Sequence, residues 1–291
     1  MRITGNRLID LAAASSTKQQ STVGTVSGQL SSGLRVTTPS DDPAAWVAAQ
    51  RTKLRQALSQ GAGAAVATSR DRLQLTDGAL ASIGDIVSQI QTLAVQGASD
   101  TYNANDRAGL GAEVRGLFQS ALASANAQSS DGEYLLAGAA SLTTPFDPGG
   151  VYLGDAGVRA VPISDTTTAG TTIAGSTLTA ANGVDVLPLL DRVATALSSN
   201  DLPGLLAALP DLAAAVKQVA TTRSHTGAAM SSLEQTTAAR ALLEQDMQQA
   251  ISRYVEVDTV TAASDLAKAS QALEVSRAVA SHIITLLAPS T

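Results

Sequence analysis

The residues best suited to chemistry are two pairs of carboxylates. Asp41 and Asp42 are adjacent and could hold a metal ion, while Asp131 and Glu133 could act as a general acid and base. Asp42 directly precedes Pro43, however, and an aspartate followed by a proline is typical of the start of a helix. Asp131 and Glu133 lie in a glycine-containing loop with no other polar constellation, which favours a solvated turn. Neither pair therefore predicts a catalytic or metal site.

Other sequence features that commonly mark an active site are missing. His225 and His282 are far apart and belong to no metal-binding motif, and the chain has no cysteine. The segment Gly61-Ala62-Gly63 lacks the third glycine and the preceding strand of a dinucleotide-binding loop. No serine stands in a G-x-S-x-G elbow, and no G-x-x-x-x-G-K-[ST] phosphate-binding loop occurs. We therefore expect a protein that is not an enzyme and that binds no cofactor.

Composition argues against several further classes of protein. The 291 residues carry a formal net charge of −6, which argues against nucleic acid as a partner because phosphate binding needs a basic surface. No apolar run near the N-terminus resembles a secretory signal peptide, and no apolar stretch is long enough for a membrane span. We therefore expect no membrane insertion. Only 2% of the residues are aromatic although 44% are hydrophobic, which favours thin, closely packed helices.

The first third of the chain predicts a weak helix at its start. Residues 5–33 are compatible with a helix, but Gly24 and Gly28 weaken it. Val23, Val26 and Leu30 provide only a narrow apolar stripe. A helix of this kind needs a partner surface to be stable.

The second predicted helix starts after Asp42 and extends to about residue 97, with a break near Gly61-Ala62-Gly63. Its second half has the clearest periodicity in the chain, because apolar or small residues recur at alternating steps of three and four. This spacing is typical of a coiled-coil seam, which requires a partner helix. The seam comprises Leu73, Thr76, Leu80, Ile83, Val87, Ile90 and Ala94.

The last third of the chain also predicts helices. Pro210 is expected to end a short turn of helix before a long one begins, because proline removes a backbone donor. The C-terminal helix carries a second seam at steps of seven, supported by Ile283. Its members are Leu266, Leu273, Ala280 and Leu287. The ranges predicted for helices after the second one are 106–128, 185–199, 211–256 and 259–287.

The middle of the chain differs in composition and residue pattern from both ends. Glycine, threonine, proline and aspartate become dense between residues 131 and 185, with short alternating runs at 151–153, 158–163 and 171–173. Six carboxylates stand against the single Arg159 in this segment, which suits a lobe that faces solvent. We interpret the segment as a small β-rich insert.

These patterns predict a mainly α fold with a small β-rich insert. The N- and C-terminal thirds are expected to form an elongated antiparallel helical rod or coiled coil, with the β lobe at its far end. Three domains follow from this prediction. A terminal coiled-coil domain takes residues 1–40 and 258–291, a helical rod domain takes 41–130 and 186–257, and the outer insert takes 131–185.

Several short motifs follow one another in a characteristic order along the chain. The run Leu-Ser-Ser-Gly-Leu-Arg-Val at 30–36, followed by Pro-Ser-Asp-Asp-Pro-Ala-Ala at 39–45, is similar to the N-terminal signature of the flagellin superfamily of bacteria. The Asp-Asp-Pro version resembles the hook-associated members more than the filament flagellins. Further similarity lies in the opening Met-Arg-Ile-Thr at 1–4 and in residues 131–138, 145–146, 151–157 and 262–274.

The resemblance implies a structural subunit of the bacterial flagellum that joins hook to filament. Such a subunit would leave the cell through the flagellar type III system without a Sec signal and become part of an extracellular flagellum. Its implied partners are a ring of its own copies, another hook-associated protein on the hook side, and flagellin on the filament side. An export chaperone is left open as a further partner.

The resemblance also implies that the terminal helices carry the assembly contacts. Arg35, Asp41 and Asp42 offer complementary charges on a short turn between the first two helices, and we predict that this turn contacts a neighbouring subunit. Trp46 is either an anchor against a neighbour or part of the core of its own chain. The remaining predicted interface residues are Val23, Val26, Leu30, Leu266, Leu273, Ile283, Leu286 and Leu287.

Two other functions remain open at this point. A filament flagellin would polymerise with itself without limit, although the similarity at 131–157 argues against it. A secreted helical adhesin would bind a surface through the β insert. The C-terminal sequence Ile-Ile-Thr-Leu-Leu-Ala-Pro-Ser-Thr at 283–291 lacks the terminal aromatic residue usual in the family.

Overall fold

A computed structural model describes residues 5–162 and 168–287, without the side chains of Asn6, Leu8, Ile284, Leu286 and Leu287. Within these residues the chain forms six α-helices and one antiparallel two-stranded sheet. The mainly helical fold with a small β region is therefore confirmed. The elements are α1 (Gly5–Ser32), α2 (Pro43–Gly97), α3 (Ala104–Ala125), β1 (Ala160–Pro162), β2 (Thr168–Gly170), α4 (Val186–Ser198), α5 (Leu202–Val255) and α6 (Thr259–Leu287).

The chain divides into two compact units. Unit 1 comprises Met1–Leu58 and Leu243–Thr291, and unit 2 comprises Ser59–Leu242. The division falls within α2 and within α5, so each unit contains part of both long helices. The three-domain division drawn from the sequence stays a prediction.

The heptad seam of α2 forms the centre of unit 2. All seven of its predicted members, from Leu73 to Ala94, are 0% exposed. The seam runs antiparallel to α5, because Leu73 shares a cluster with Leu233 while Gly84 and Gly97 approach Val219 and Leu205. The helices α3 and α4 complete the core with residues such as Val114, Phe118, Leu190 and Leu197.

A buried arginine fixes the turns at one end of this core. The Arg107 guanidinium donates to the carbonyls of Gly97 and Ser99, at 2.7 and 3.1 Å, and to Asn200 Oδ1 at 2.8 Å. One side chain thereby connects the end of α2, the start of α3 and the turn before α5. The start of α3 is held by a capping box between Asn103 and Asp106.

Two predicted helix breaks were wrong. The helix α2 continues through Gly61 and Gly63, and α5 continues through Pro210. A glycine costs a helix about 1 kcal/mol and a proline about 3 kcal/mol. Leu205 and Leu212, on either side of Pro210, are both buried, and packing of these neighbouring turns offsets the local cost.

The insert contains less strand than its alternating pattern predicted. The strands β1 and β2 have three residues each, and the predicted run at 171–173 lies outside both. The Thr171 and Thr172 hydroxyls bond to the backbone of Arg159 at 3.1 and 2.9 Å. These side-chain bonds add to the hydrogen bond from the Thr171 amide to the Arg159 carbonyl at 2.7 Å, and the regular pairing stops at Gly170. The run at 151–153 forms only an isolated bridge between Tyr152 and Phe146.

The described part of the insert is attached to the helices of unit 2. Leu136, Phe146 and Leu178 belong to the same buried cluster as α2–α5. Gln218 of α5 donates to the carbonyls of Thr177 and Thr179 and accepts from the Val184 amide.

Glu133 forms a second attachment of the insert. Its carboxylate accepts hydrogen bonds from Arg159, at 2.8 and 3.0 Å, and from Arg72 of α2. Arg72 also donates to the Tyr134 carbonyl at 2.6 Å. The hydrogen bonds from Arg159 lower the pKa of Glu133 from 4.5 to about 2. The interpretation of Glu133 as part of a solvated turn was therefore wrong, because two arginines distant in sequence enclose it.

We expect Glu133→Gln to lower the free energy of unfolding by about 1–3 kcal/mol, because the two guanidinium groups lose their counter-charge. The wild-type contribution is fully present above about pH 4.5 and is lost as the pH falls towards about 2. Urea denaturation at pH 7 and pH 3 measures both effects. The exposed neighbour Asp131→Asn is the control and should change stability by less than about 0.5 kcal/mol. Equal effects of the two substitutions would contradict the attachment role.

Among the described residues, α5 is the one helix whose length and composition would allow it to cross a membrane. About a third of its most apolar stretch is buried. A long helix of a protein core meets the same criterion, and α5 supplies Leu205, Leu212 and Val219 to the core of unit 2.

Candidate assembly joint and terminal seam

The turn between α1 and α2 is paired with the turn between α5 and α6. We call residues 33–42 together with 254–258 the joint. The amides of Arg35 and Val36 donate to the Val255 carbonyl at 2.7 and 3.3 Å, and the Val257 amide donates to the Gly33 carbonyl at 3.0 Å. Gly33 has a φ of +71°, a left-handed conformation that ends α1 and that glycine adopts without strain.

Arg35 connects both sides of the joint. Its guanidinium donates to Asp42 Oδ2 and to the Tyr254 carbonyl, each at 3.0 Å. The predicted complementary charges of Arg35 and Asp42 are therefore in contact within one chain. Their ion pair is partly exposed, with 43% and 33% of the two side chains accessible.

Asp41 and Asp42 act as caps of the backbone. Asp41 Oδ2 accepts from the amides of Thr37 and Thr38 at 2.9 and 2.8 Å and from the Thr37 hydroxyl. The Thr38 and Thr37 amides lower the pKa of Asp41 from 3.8 to about 2. Asp42 Oδ1 accepts from the Ala45 amide, which lowers the pKa of Asp42 together with Arg35. The predicted helix start at Pro43 is confirmed.

The joint is backed by a small apolar cluster of unit 1. The cluster contains Val36, Ala45, Ala49, Ile251 and Val255, each at most 9% exposed. Trp46 is partly buried and packs against it. Trp46 thus contacts the core of its own chain, and its contact with a neighbouring subunit stays a prediction.

Asp258 caps the start of α6 in the same way as Asp42 caps the start of α2. Its carboxylate accepts from the amides of Val260 and Thr261 at 3.0 and 3.2 Å and from the Thr261 hydroxyl. The hydrogen bonds from Thr261 are the main cause that lowers the pKa of Asp258. Both helices that leave the joint, α2 and α6, therefore start at an ionised aspartate.

The helices α1 and α6 pack against each other along what we call the terminal seam. On α1 the partly buried positions follow steps of three and four and include Val23, Val26 and Leu30. On α6 they include Leu266, Leu273 and Ile283. No described side chain of α1 is fully buried, and on α6 only Ala262 and Ala269 are. Leu286 and Leu287 lie in α6, but their side chains are outside the described part.

We expect acidification to loosen the joint. The joint holds Asp41 ionised, so this contribution is present above about pH 4 and is lost as the pH falls towards about 2. Trp46 is the sole tryptophan, and its fluorescence reports on the adjoining cluster. Asp41→Asn should weaken this transition, to which Asp42 and Asp258 also contribute, whereas Asp246→Asn on α5 should leave it unchanged. A transition that persists unchanged in Asp41→Asn would contradict this role.

Several residues of the joint could not be assigned a role there from the sequence alone. Gly33 and Val36 were part of a recognised signature but had no assigned role. Val255 and Glu256 were placed at the end of the predicted helix 211–256, and Val257 and Asp258 between that helix and the next, all without a partner. The alternation of Val255 and Val257 before a capping aspartate was the available signal for a short extended segment.

Comparison with known proteins adds the family context. The bacterial flagellin N-terminal helical region matches residues 6–141. Flagellar hook-associated protein 3 of Salmonella typhimurium is 30% identical over 162 residues, which are 54% of this chain and 50% of the relative. The same protein of Escherichia coli K12 is 33% identical over 131 residues, which are 44% of this chain and 41% of the relative. The chain is flagellin-like and resembles hook-associated protein 3.

The alignments span about half the length of these curated relatives. A solved structure of a candidate flagellar hook-associated protein from Vibrio parahaemolyticus covers more of the flagellin-like chain. It matches with a TM-score of 0.68 and 17% identity over 74% of this chain and 100% of the other. This likeness shows a shared fold. The joint's N-terminal half, residues 33–42, lies inside the matched flagellin region.

Proposed function

We propose that this chain is a structural adaptor of the bacterial flagellum that joins hook to filament and has no catalytic activity. The resemblance to hook-associated protein 3 supports this role. In this proposal the chain leaves the cell through the flagellar type III system and acts outside it. Its partners are further copies of itself, another hook-associated protein on the hook side and flagellin on the filament side, and the need for an export chaperone is left open.

The exposed apolar residues of the α1–α6 pair are the observation that carries the proposal. The α1–α6 pair has apolar residues on its outer surface as well as in the seam, including Leu11, Val260, Val275 and Val279, which are 51–79% exposed. Such a pair buries little apolar surface, so the single chain gives it little stability. Neighbouring subunits that cover these residues would supply the missing burial, and ordering would be coupled to assembly.

A self-assembly experiment tests the adaptor role. The purified full-length chain is incubated with a precipitating salt, with isolated hooks, and with hooks followed by flagellin. We expect no long tubes from the chain alone, and we expect filament growth from hooks only after the chain has been added. Sedimentation and negative-stain images measure both. Long tubes from this chain alone would instead make it a filament flagellin.

Hydrogen exchange tests the coupling of order to assembly. We expect the amides of α1 and α6 in the monomer to exchange much faster than those of the α2 seam in unit 2. Attachment to hooks should slow their exchange. Strong protection of residues 5–35 in the monomer would contradict coupled folding but not the adaptor role.

A further inference from the structure

Charge is divided unevenly between the two units. Unit 1 has ten lysines and arginines against nine aspartates and glutamates, whereas unit 2 has nine against sixteen. The net charges are therefore +1 and −7. Since opposite charges attract, unit 1 of one copy is better suited to contact unit 2 of another copy than to contact a second unit 1.

Unit 1 presents a basic and apolar stripe on α2. Val47, Leu54 and Leu58 lie on one face of the helix and are 46%, 63% and 67% exposed. Arg51 and Arg55 lie along one side of this face and Lys53 along the other, and residues 43–58 contain no acidic residue. Among the described residues, no carboxylate forms an ion pair with these three cations. We call residues 47–58 the basic stripe.

Unit 2 contains a groove with the complementary character. The groove has a volume of about 730 Å³ and lies between α2 and the insert. Leu75 lines it and is 49% exposed, while Asp71 and Asp131 at its sides are exposed. Neither aspartate has an ion-pair partner in the described part of the chain. Glu133 already accepts from both arginines of the groove, so Asp71 and Asp131 are left to bind cations from outside.

We propose that the basic stripe of one copy docks in the α2–insert groove of the next copy. Leu54 and Leu58 would contact Leu75, and Arg51 and Arg55 would pair with Asp71 and Asp131. The two surfaces differ, so the contact is head-to-tail and can repeat around a ring or helix. This inference rests on the proposed function because it specifies one contact between subunits of the assembly.

Site-directed cross-linking tests this contact in the full chain, which has no native cysteine to interfere. Gln50→Cys is placed one turn before Leu54, and Ser130→Cys is placed in the groove. Because the two cysteines are in separate chains, a short bismaleimide can join them only between copies. We expect a heterodimer when the two variants are mixed at high concentration in precipitating salt. Gln50→Cys mixed with Ser120→Cys, an exposed serine of α3, is the matched control.

Charge reversal makes the test specific. Arg51→Glu with Arg55→Glu on the Gln50→Cys chain should lower the heterodimer yield at least tenfold. Asp71→Lys with Asp131→Lys on the Ser130→Cys chain should do the same. Mixing the two reversed chains should restore the yield. Absence of the heterodimer, or a yield equal to that of the Ser120→Cys control, would overturn the proposed contact.

The result is separable from the test of the adaptor role. Absence of the heterodimer in a chain that still supports filament growth from hooks would overturn this contact and leave the adaptor role intact. A charge-dependent heterodimer in a chain that does not attach to hooks would support the contact and overturn the adaptor role.

Discussion

Replacing both Leu266 and Leu273 with aspartate is expected to reduce assembly onto hooks at least tenfold. Both side chains are partly buried in the terminal seam, and a carboxylate there would be desolvated without a partner. Unit 2 contains neither residue, so its folding should be unaffected. Counting capped hooks in negative-stain images measures assembly, and circular dichroism measures the retained helix.

Ala278→Asp serves as the control for this prediction. Ala278 is exposed on α6, so the substitution adds a carboxylate to the same helix without placing it in the seam. We expect a smaller loss of assembly than for the double substitution. An equal loss would mean that charge on α6, and not packing in the seam, determines assembly.

Ile83→Ala is expected to lower the free energy of unfolding by about 3–4 kcal/mol. Ile83 is 0% exposed in the middle of the α2 seam, and its removal leaves a cavity that close-packed neighbours fill only in part. This is a large share of the roughly 5–15 kcal/mol that stabilises a typical domain. Urea denaturation followed by circular dichroism measures the change.

Val95→Ala is the matched control on the same helix. Val95 is 57% exposed, so its truncation should change stability by less than about 0.5 kcal/mol. A loss for Ile83→Ala below about 1 kcal/mol would show that the seam is not the centre of the core. Hydrogen exchange of α2 amides would then identify the region that is.

Much of the helical fold could be predicted because local signals agreed with packing. The seam from Leu73 to Ala94 repeats at the period of a coiled coil, and every member is buried. The starts of α2 and α3 follow from Asp42 with Pro43 and from the capping box at Asn103. These features depend on residues close in sequence, so a single sequence contains the needed information.

The wrong predictions concern places where distant contacts override a local signal. Pro210 lowers helix propensity, but the buried Leu205 and Leu212 hold α5 continuous. Glu133 was read as exposed because Arg72 and Arg159 are 61 and 26 residues away from it. A pattern of residue types cannot report pairings over such separations.

The segments that form the candidate site could be predicted from the sequence, but the residue pairs that connect them could not. The turn at 33–43 and the apolar stripes of α1 and α6 follow from composition and spacing. That Arg35 pairs with Asp42 and reaches the Tyr254 carbonyl depends on how the two turns meet. Whether the turn also contacts a neighbouring subunit stays a prediction.

The pairing of Gly33–Val36 with Val255 and Val257 also determines when, during synthesis of the chain, the joint can form. Arg35 and Tyr254 are 219 positions apart, so the N-terminal half of the joint is synthesised long before the C-terminal half. At roughly 5–20 residues per second, a ribosome needs about 10–40 s to bridge that interval. Throughout that time α1 lacks α6 as well, since α6 follows the joint. The N-terminal half of the joint and α1 therefore stay without their partners until synthesis of the chain is nearly finished.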